Sequence, residues 1–217
     1  MGMIIGLTGR KRSGKSTVAR YLVEDHGFTE LSFAARLKKM SADVNPLVHY
    51  IDAHNLTEVD RELLAHGVEP GPVYLLDALR ALGEEGAKDA LPEVRRFYQR
   101  LGTEGVRNHI GADTWVEFAE LEIIRVIREN TKDGEVGHAD IVFADVRFEN
   151  EADLIRDWGG VVIEVYRPSQ GDPEPEHSSE NGVRSDCSVV NREGDLESLF
   201  AVIDHCINRI RKAPEGE

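Results

Sequence analysis

Eight consecutive residues, Gly9-Arg10-Lys11-Arg12-Ser13-Gly14-Lys15-Ser16, carry the most specific chemistry in this chain. They fit Gly-x-x-x-x-Gly-Lys-[Ser/Thr], in which successive backbone N–H groups and the N-terminus of a following helix form a concave set of donors for an anion bearing several phosphoryl oxygens. Glycines let the main chain approach that anion closely. In such a loop Lys15 reaches the β- and γ-phosphates, and the Ser16 hydroxyl helps to hold a magnesium ion bridging them, with Thr17 extending the set into the helix. The flanks agree with the motif. Met3-Ile4-Ile5-Gly6-Leu7 is an apolar run of the kind that forms a buried parallel strand, and Val18, Tyr21 and Leu22 recur at helical spacing up to Gly27. These residues predict a nucleotide site.

Positive charge elsewhere points to a second anion. The chain has 26 Lys and Arg against 40 Asp and Glu, a net charge of −14, which disfavours a role on polymeric nucleic acid. Its cations nevertheless gather in two places: Arg10, Lys11, Arg12, Lys15 and Arg20, then Arg95, Arg96, Arg100 and Arg107. Two basic clusters on an acidic chain suggest two phosphate-bearing ligands. Ile141-Val142-Phe143-Ala144-Asp145 reads as a buried strand ending in an acid, a form that places a carboxylate near the magnesium of a nucleotide site.

The elements that must position these groups alternate between strand and helix. Thr29 to Phe33 reads as a second strand and Ala34 to Asp43 as a helix. From Asn45 to Leu91 there is no strong strand signal, only helical fragments such as Glu58 to Ala65 and Val73 to Leu82. Pro92 opens a helix through Arg107, which Gly102 and Gly105 interrupt, and Asp113 to Glu129 forms a longer one. A helix over Glu149 to Trp158, a strand over Val161 to Val165, a last strand at Ser188 to Val190 and an amphipathic helix from Leu196 complete the pattern. Five strands alternating with helices predict a three-layer α/β fold with a five-stranded parallel sheet, whose ligands lie beyond the carboxyl ends of the strands. One domain spans residues 1–217, with a helical subregion over 34–112 and a Pro-, Gly- and Ser-rich loop over 167–187 suited to act as a lid.

Several runs resemble bacteriophage deoxynucleoside monophosphate kinases, a P-loop kinase family. They are Lys11-Arg12-Ser13-Gly14-Lys15, Pro92 to Glu104, Gly111-Ala112-Asp113-Thr114-Trp115-Val116, and Asp145-Val146-Arg147-Phe148-Glu149-Asn150-Glu151-Ala152. The resemblance runs from Met3 to about Phe200 and implies transfer of the γ-phosphoryl group of ATP, with Mg2+, to the 5′-phosphate of a deoxynucleoside monophosphate. It implies Lys15 at the transferred group, Ser16 and Asp145 at the metal, and Arg147 at the acceptor phosphate or the transition-state charge. Arg36, Lys38, Arg96 and Arg107 would then bind the acceptor. Gln99 would face the base and Trp115 stack or pack beside it, with Asn150 and Glu151 nearby. Arg167, His177 and Glu180 would belong to the lid, and Asn191 to the turn beside the adenine.

Two rivals share features of this chain. The opening also resembles dephospho-coenzyme A kinase, although Ser32-Phe33-Ala34-Ala35-Arg36 stands where that family carries an acidic pair. A nucleotide-dependent switch without a small acceptor leaves the arginine helix unexplained. No apolar stretch reaches the ~20 residues that span a bilayer. The two cysteines make no disulfide framework, and no leader pattern precedes the first strand, so a cytoplasmic protein, in a host cell if viral, is expected. The sequence leaves monomer and homodimer open.

Overall fold

A computed structural model describes residues 2–131, 137–168 and 183–212. In chain order its elements are β1 (Ile4–Thr8), α1 (Lys15–His26), β2 (Thr29–Leu31), α2 (Ala35–Val44), β3 (Leu47–Ile51), α3 (Glu58–Ala65), β4 (Gly71–Tyr74), α4 (Leu75–Ala90) and α5 (Pro92–Gln99). A π-helical segment (Arg100–Arg107) follows, then α6 (Thr114–Glu129), β5 (Ile141–Phe143), α7 (Glu149–Asp157), β6 (Val161–Tyr166), β7 (Cys187–Val190) and α8 (Leu196–Lys212). Contacts divide the chain into two compact units, Met1–Phe33 with Val116–Glu217, and Ala34–Trp115.

The first unit is built on the parallel sheet β2-β5-β1-β6-β7. Ile4, Ile5 and Gly6 pair with Ile141, Val142 and Phe143 on one side of β1, while Ile5 to Thr8 pair with Val161 to Glu164 on the other. Strand side chains alternate between faces, so each of the central strands β5, β1 and β6 feeds two cores. Ile4, Ile141, Phe143 and Val162 pack with Ala119 and Ile123 of α6 and Ala152 and Ile155 of α7. Ile5, Leu7, Val142 and Ile163 pack with Val18 and Leu22 of α1 and Leu199 and Ile203 of α8. Burial on both faces explains the continuous apolar runs, and truncating Ile155 to Ala should cost about 2–5 kcal/mol. Tyr21 ties α1 to α8: its ring stacks on Phe200 at 4.0 Å, and its hydroxyl donates 2.8 Å to Asp204. Because β1 lies between strands that lead to opposite edges, the crevice beyond its carboxyl end is where a ligand of such a sheet belongs.

The second unit departs from an all-helical expectation. β3 and β4 pair antiparallel, with Leu47 opposite Tyr74 and Tyr50 opposite Pro72. Val48, Ile51 and Val73 face a core made with Leu63, Leu75, Ala78, Ala87 and Val94. The hairpin hides in the sequence because Leu47, Tyr50 and Tyr74 on its outer face are also apolar, so no alternation marks it, and Pro72 weakens a strand reading. α3 starts at a reciprocal cap in which Thr57 Oγ1 accepts from the Asp60 N–H and the Asp60 carboxylate accepts from the Thr57 N–H. Gly102 and Gly105 do not interrupt the helix from Pro92; it widens into the π-helical segment, a form often found at functional sites.

Candidate active site

The loop between β1 and α1 takes a backbone that its glycines permit. Gly9 has φ 129° and Gly14 φ 109°. A Cβ on Gly9 would stand 2.3 Å from the Val165 carbonyl oxygen, and one on Gly14 would stand 2.2 Å from Asn191 Nδ2. Arg12 is also left-handed, at φ 64°, a conformation that concentrates at functional turns. Lys15 opens α1 and donates to the carbonyls of Gly9, at 2.7 Å, and Arg10, at 2.8 Å, so its ammonium lies over the loop. Burial, and secondly the positive charge of Arg147, hold Lys15 below the ordinary lysine range. An arriving polyanion would reverse that shift. The Ser13 hydroxyl is buried without a hydrogen-bond partner among the described residues, which leaves one donor in the loop unspent.

Above the loop lies a cavity of about 440 Å³ lined by Arg12, Lys15, Ser16, Thr17, Arg167, Asn191 and Arg192, with Gly14, Gly194 and Leu196. Among the described residues its walls carry four cationic side chains and no acidic one, the electrostatics of a polyanion site. Asn191 is buried at the end of β7 and donates through Nδ2 to the Ser13 carbonyl at 2.8 Å. Its amide therefore holds the phosphate loop itself. Arg167 lies 3.6 Å from Glu193 at the rim. Arg192 was not anticipated from sequence; the signal was its place just after the last strand, on the carboxyl rim of the sheet.

Asp145 follows β5, and both its oxygens are engaged from the end of β2: Ser32 Oγ donates at 2.6 Å and the Phe33 N–H at 3.1 Å. These bonds end both strands earlier than the apolar runs suggest, because Phe33 turns its N–H from the ladder to the carboxylate. Arg147 is exposed, two residues on. Glu151 is buried and accepts the N–H of Arg147 at 2.7 Å and of Phe148 at 3.2 Å, capping α7. Expected beside the acceptor, it instead fixes the backbone from which Arg147 projects. Asn150 is half-buried in the first turn of α7.

The second unit holds the other basic group. Arg36 is exposed on the first turn of α2, and Lys38 lies 3.0 Å from Glu84. Arg96 pairs with Glu93, one turn back on α5, and Gln99 ends that helix exposed. Arg107 closes the π-helical segment and donates to the Ala112 carbonyl at 3.0 Å. Trp115 is buried and donates through Nε1 to the Gly102 carbonyl at 3.0 Å, so its ring packs the π-helical segment rather than offering a free face. His177 and Glu180 lie outside the described residues.

A family model for deoxynucleotide monophosphate kinase matches residues 86–203, more than half of the chain. The chain belongs to the deoxynucleotide monophosphate kinase family. It is thus a nucleotide kinase, a phosphotransferase with a small nucleotide substrate. A protein of Acanthamoeba polyphaga mimivirus, provisionally named a deoxynucleotide monophosphate kinase, is 27% identical over 95% of this chain and 96% of its own length. The deoxynucleotide monophosphate kinase of Enterobacteria phage T4 is 30% identical over 116 residues, 52% of this chain and 45% of that one. Among solved structures, TT1252 from Thermus thermophilus aligns over 96% of this chain and 97% of its own at 15% identity with a TM-score of 0.43, too loose a likeness to inform the site. No described helix of this kinase is long and apolar enough to cross a membrane.

Proposed function

We propose that this kinase transfers the γ-phosphoryl group of ATP to the 5′-phosphate of a deoxynucleoside monophosphate, giving the diphosphate and ADP. The observation that carries the donor half is the cavity over the phosphate loop, walled among the described residues by Arg12, Lys15, Arg167 and Arg192 without an acid. Family membership supports the acceptor half.

Phosphoryl transfer asks little covalent chemistry of a protein, so this chain acts by in-line positioning and by charge placed where the transferring group develops it. In this reading Lys15 holds the transferred group and Arg147 the acceptor phosphate or the equatorial oxygens. Glu151 and the Asn191 amide act one step back, on the backbones that carry them. Arg36, Arg96 and Arg107 engage the acceptor phosphate and Gln99 its base. Arg167 closes over the donor together with the segment that holds His177 and Glu180.

Ser16 and Asp145 offer a hydroxyl and a carboxylate, the hard oxygen donors that suit Mg2+, an ion that usually keeps waters and phosphate oxygens as its other ligands. A carboxylate accepting two hydrogen bonds still has lone pairs for it. Bound there, the ion would neutralise charge on the β- and γ-phosphates.

A homodimer in the host cytoplasm completes the proposal; support for the dimer is the exposed apolar set Val44, Leu47, Tyr50 and Tyr74 on the second unit. Sedimentation of the purified chain checks it. The activity is tested by a coupled ADP assay with ATP, Mg2+ and each common deoxynucleoside monophosphate, its ribo counterpart or dephospho-coenzyme A. ADP release that depends on a deoxynucleotide is expected. Release indifferent to any nucleotide acceptor would overturn the reading.

A further inference from the structure

Lys38 is a cation on the helix that also carries Arg36, yet its ammonium is committed elsewhere. Lys38 Nζ of α2 and Lys88 Nζ of α4 converge on one oxygen, Glu84 Oε1, at 3.0 Å and 2.5 Å. Lys88 also reaches Glu85 at 3.0 Å and lies 5.5 Å from the ring centre of Tyr98 on α5. Glu84 follows a break in α4 at Gly83, whose φ of 70° and ψ of 174° belong to a region open essentially to glycine alone. The cluster is partly shielded: the Lys88 side chain is 20% exposed and that of Glu84 35%. Burial acts to raise the Glu84 carboxyl, but the two lysines outweigh it and leave it below its ordinary range, an anion at neutral pH.

We infer that Glu84 is a positioning residue for acceptor use, and that Lys38 serves this joint rather than the acceptor phosphate; the inference rests on the reading of Arg36, Arg96 and Gln99 given above. The Glu84 carboxylate ties α2, with Arg36 two residues before Lys38, to α4, and the Lys88 ammonium carries the joint on to α5, where Tyr98 stands between Arg96 and Gln99. A lysine that binds phosphate directly predicts the opposite sign. Removing the Glu84 charge would then free Lys38 and tighten the acceptor, whereas loss of a joint loosens it.

Steady-state kinetics on the full chain separate the two. Glu84→Gln and Lys38→Met should each raise KM for the deoxynucleotide about tenfold with KM for ATP unchanged, and the double variant should be no worse than the poorer single. A lower or unchanged acceptor KM in Glu84→Gln, or additive losses, would overturn the inference. Should Glu84→Gln fail to fold, Lys88→Met answers instead, because Lys88 reaches the acceptor only through the joint: a raised acceptor KM supports it and an unchanged one refutes it. If the wild-type chain turns over no deoxynucleotide, the proposed function fails. Hydrogen exchange of the α2 and α5 amides then tests the joint alone, faster exchange in Glu84→Gln supporting it and unchanged exchange contradicting it.

Discussion

The two units hold their cations in different ways. Around the phosphate loop of the first unit the parts are fixed by backbone and buried contacts: two glycines in left-handed conformations, Asn191 on the Ser13 carbonyl, Glu151 on the Arg147 N–H, and Ser32 and Phe33 on Asp145. In the second unit the cations sit on helices, and Arg96 meets Glu93 through exposed, flexible side chains. The difference fits two tasks. A triphosphate chain rewards a preorganised cradle, whereas the proposed deoxynucleotide acceptor would be met by side chains whose ion pairs, worth little at exposed positions, are readily exchanged.

The largest test of this contrast is Lys15→Ala, which removes a side chain proposed to hold the transferred group; kcat should fall by at least about 100-fold while the fold survives, as circular dichroism would show. Next comes Asn191→Asp, nearly isosteric, which sets a carboxylate oxygen against the Ser13 carbonyl in place of a donor. The unsatisfied buried contact should cost about 1–3 kcal/mol, read as a lower melting temperature and a raised KM for ATP, with acceptor KM unchanged. A smaller effect is expected from Asp60→Asn in the second unit, about 1 kcal/mol in urea unfolding, through loss of the α3 cap. The hydrogen bonds from Thr57, despite opposing burial, and the bond with His49 lower the Asp60 carboxyl to about 2. Its folded-state value is depressed, so its stabilisation is present above the ordinary carboxylate range and is lost as the pH falls from about 4 toward about 2. The Asn variant should lack that part of the acid transition. Smallest is a proton count: Lys15 is held below its ordinary value in the free protein, and a bound polyphosphate restores it. ATP binding should therefore take up protons at alkaline pH and weaken as the pH rises, measurable by calorimetry in two buffers of different ionisation enthalpy. Proton release would contradict it.

The same contrast governs what could be read from the residues alone. The parallel sheet was legible because its central strands are buried on both faces and stand out as apolar runs, and the loop because its chemistry demands particular residues at fixed spacing. Asp145 could be placed near the site because it ends such a run. What escaped was packing between distant segments. Nothing local to Asn191 says that its amide meets Ser13, 178 residues away in sequence. Glu151, expected beside the acceptor, caps α7 from the third helical position, but Phe148 at the N-cap lacks the hydroxyl that would mark a capping box in the sequence. In the second unit the β3–β4 hairpin carries apolar residues on both faces, so period-two alternation failed. The glycines of the π-helical segment resembled breaks although the helix only widens around them, with Trp115 packed on one carbonyl.

The proposed role of the second unit's arginines in acceptor rather than donor binding is tested most directly by the ATP dissociation constant of the Arg96→Ala protein, measured by calorimetry beside its KM for the deoxynucleotide. ATP binding should stay within about a factor of two of wild type while the acceptor KM rises about 10-fold or more, the scale of one charge-assisted hydrogen bond. Equal losses in both would contradict it.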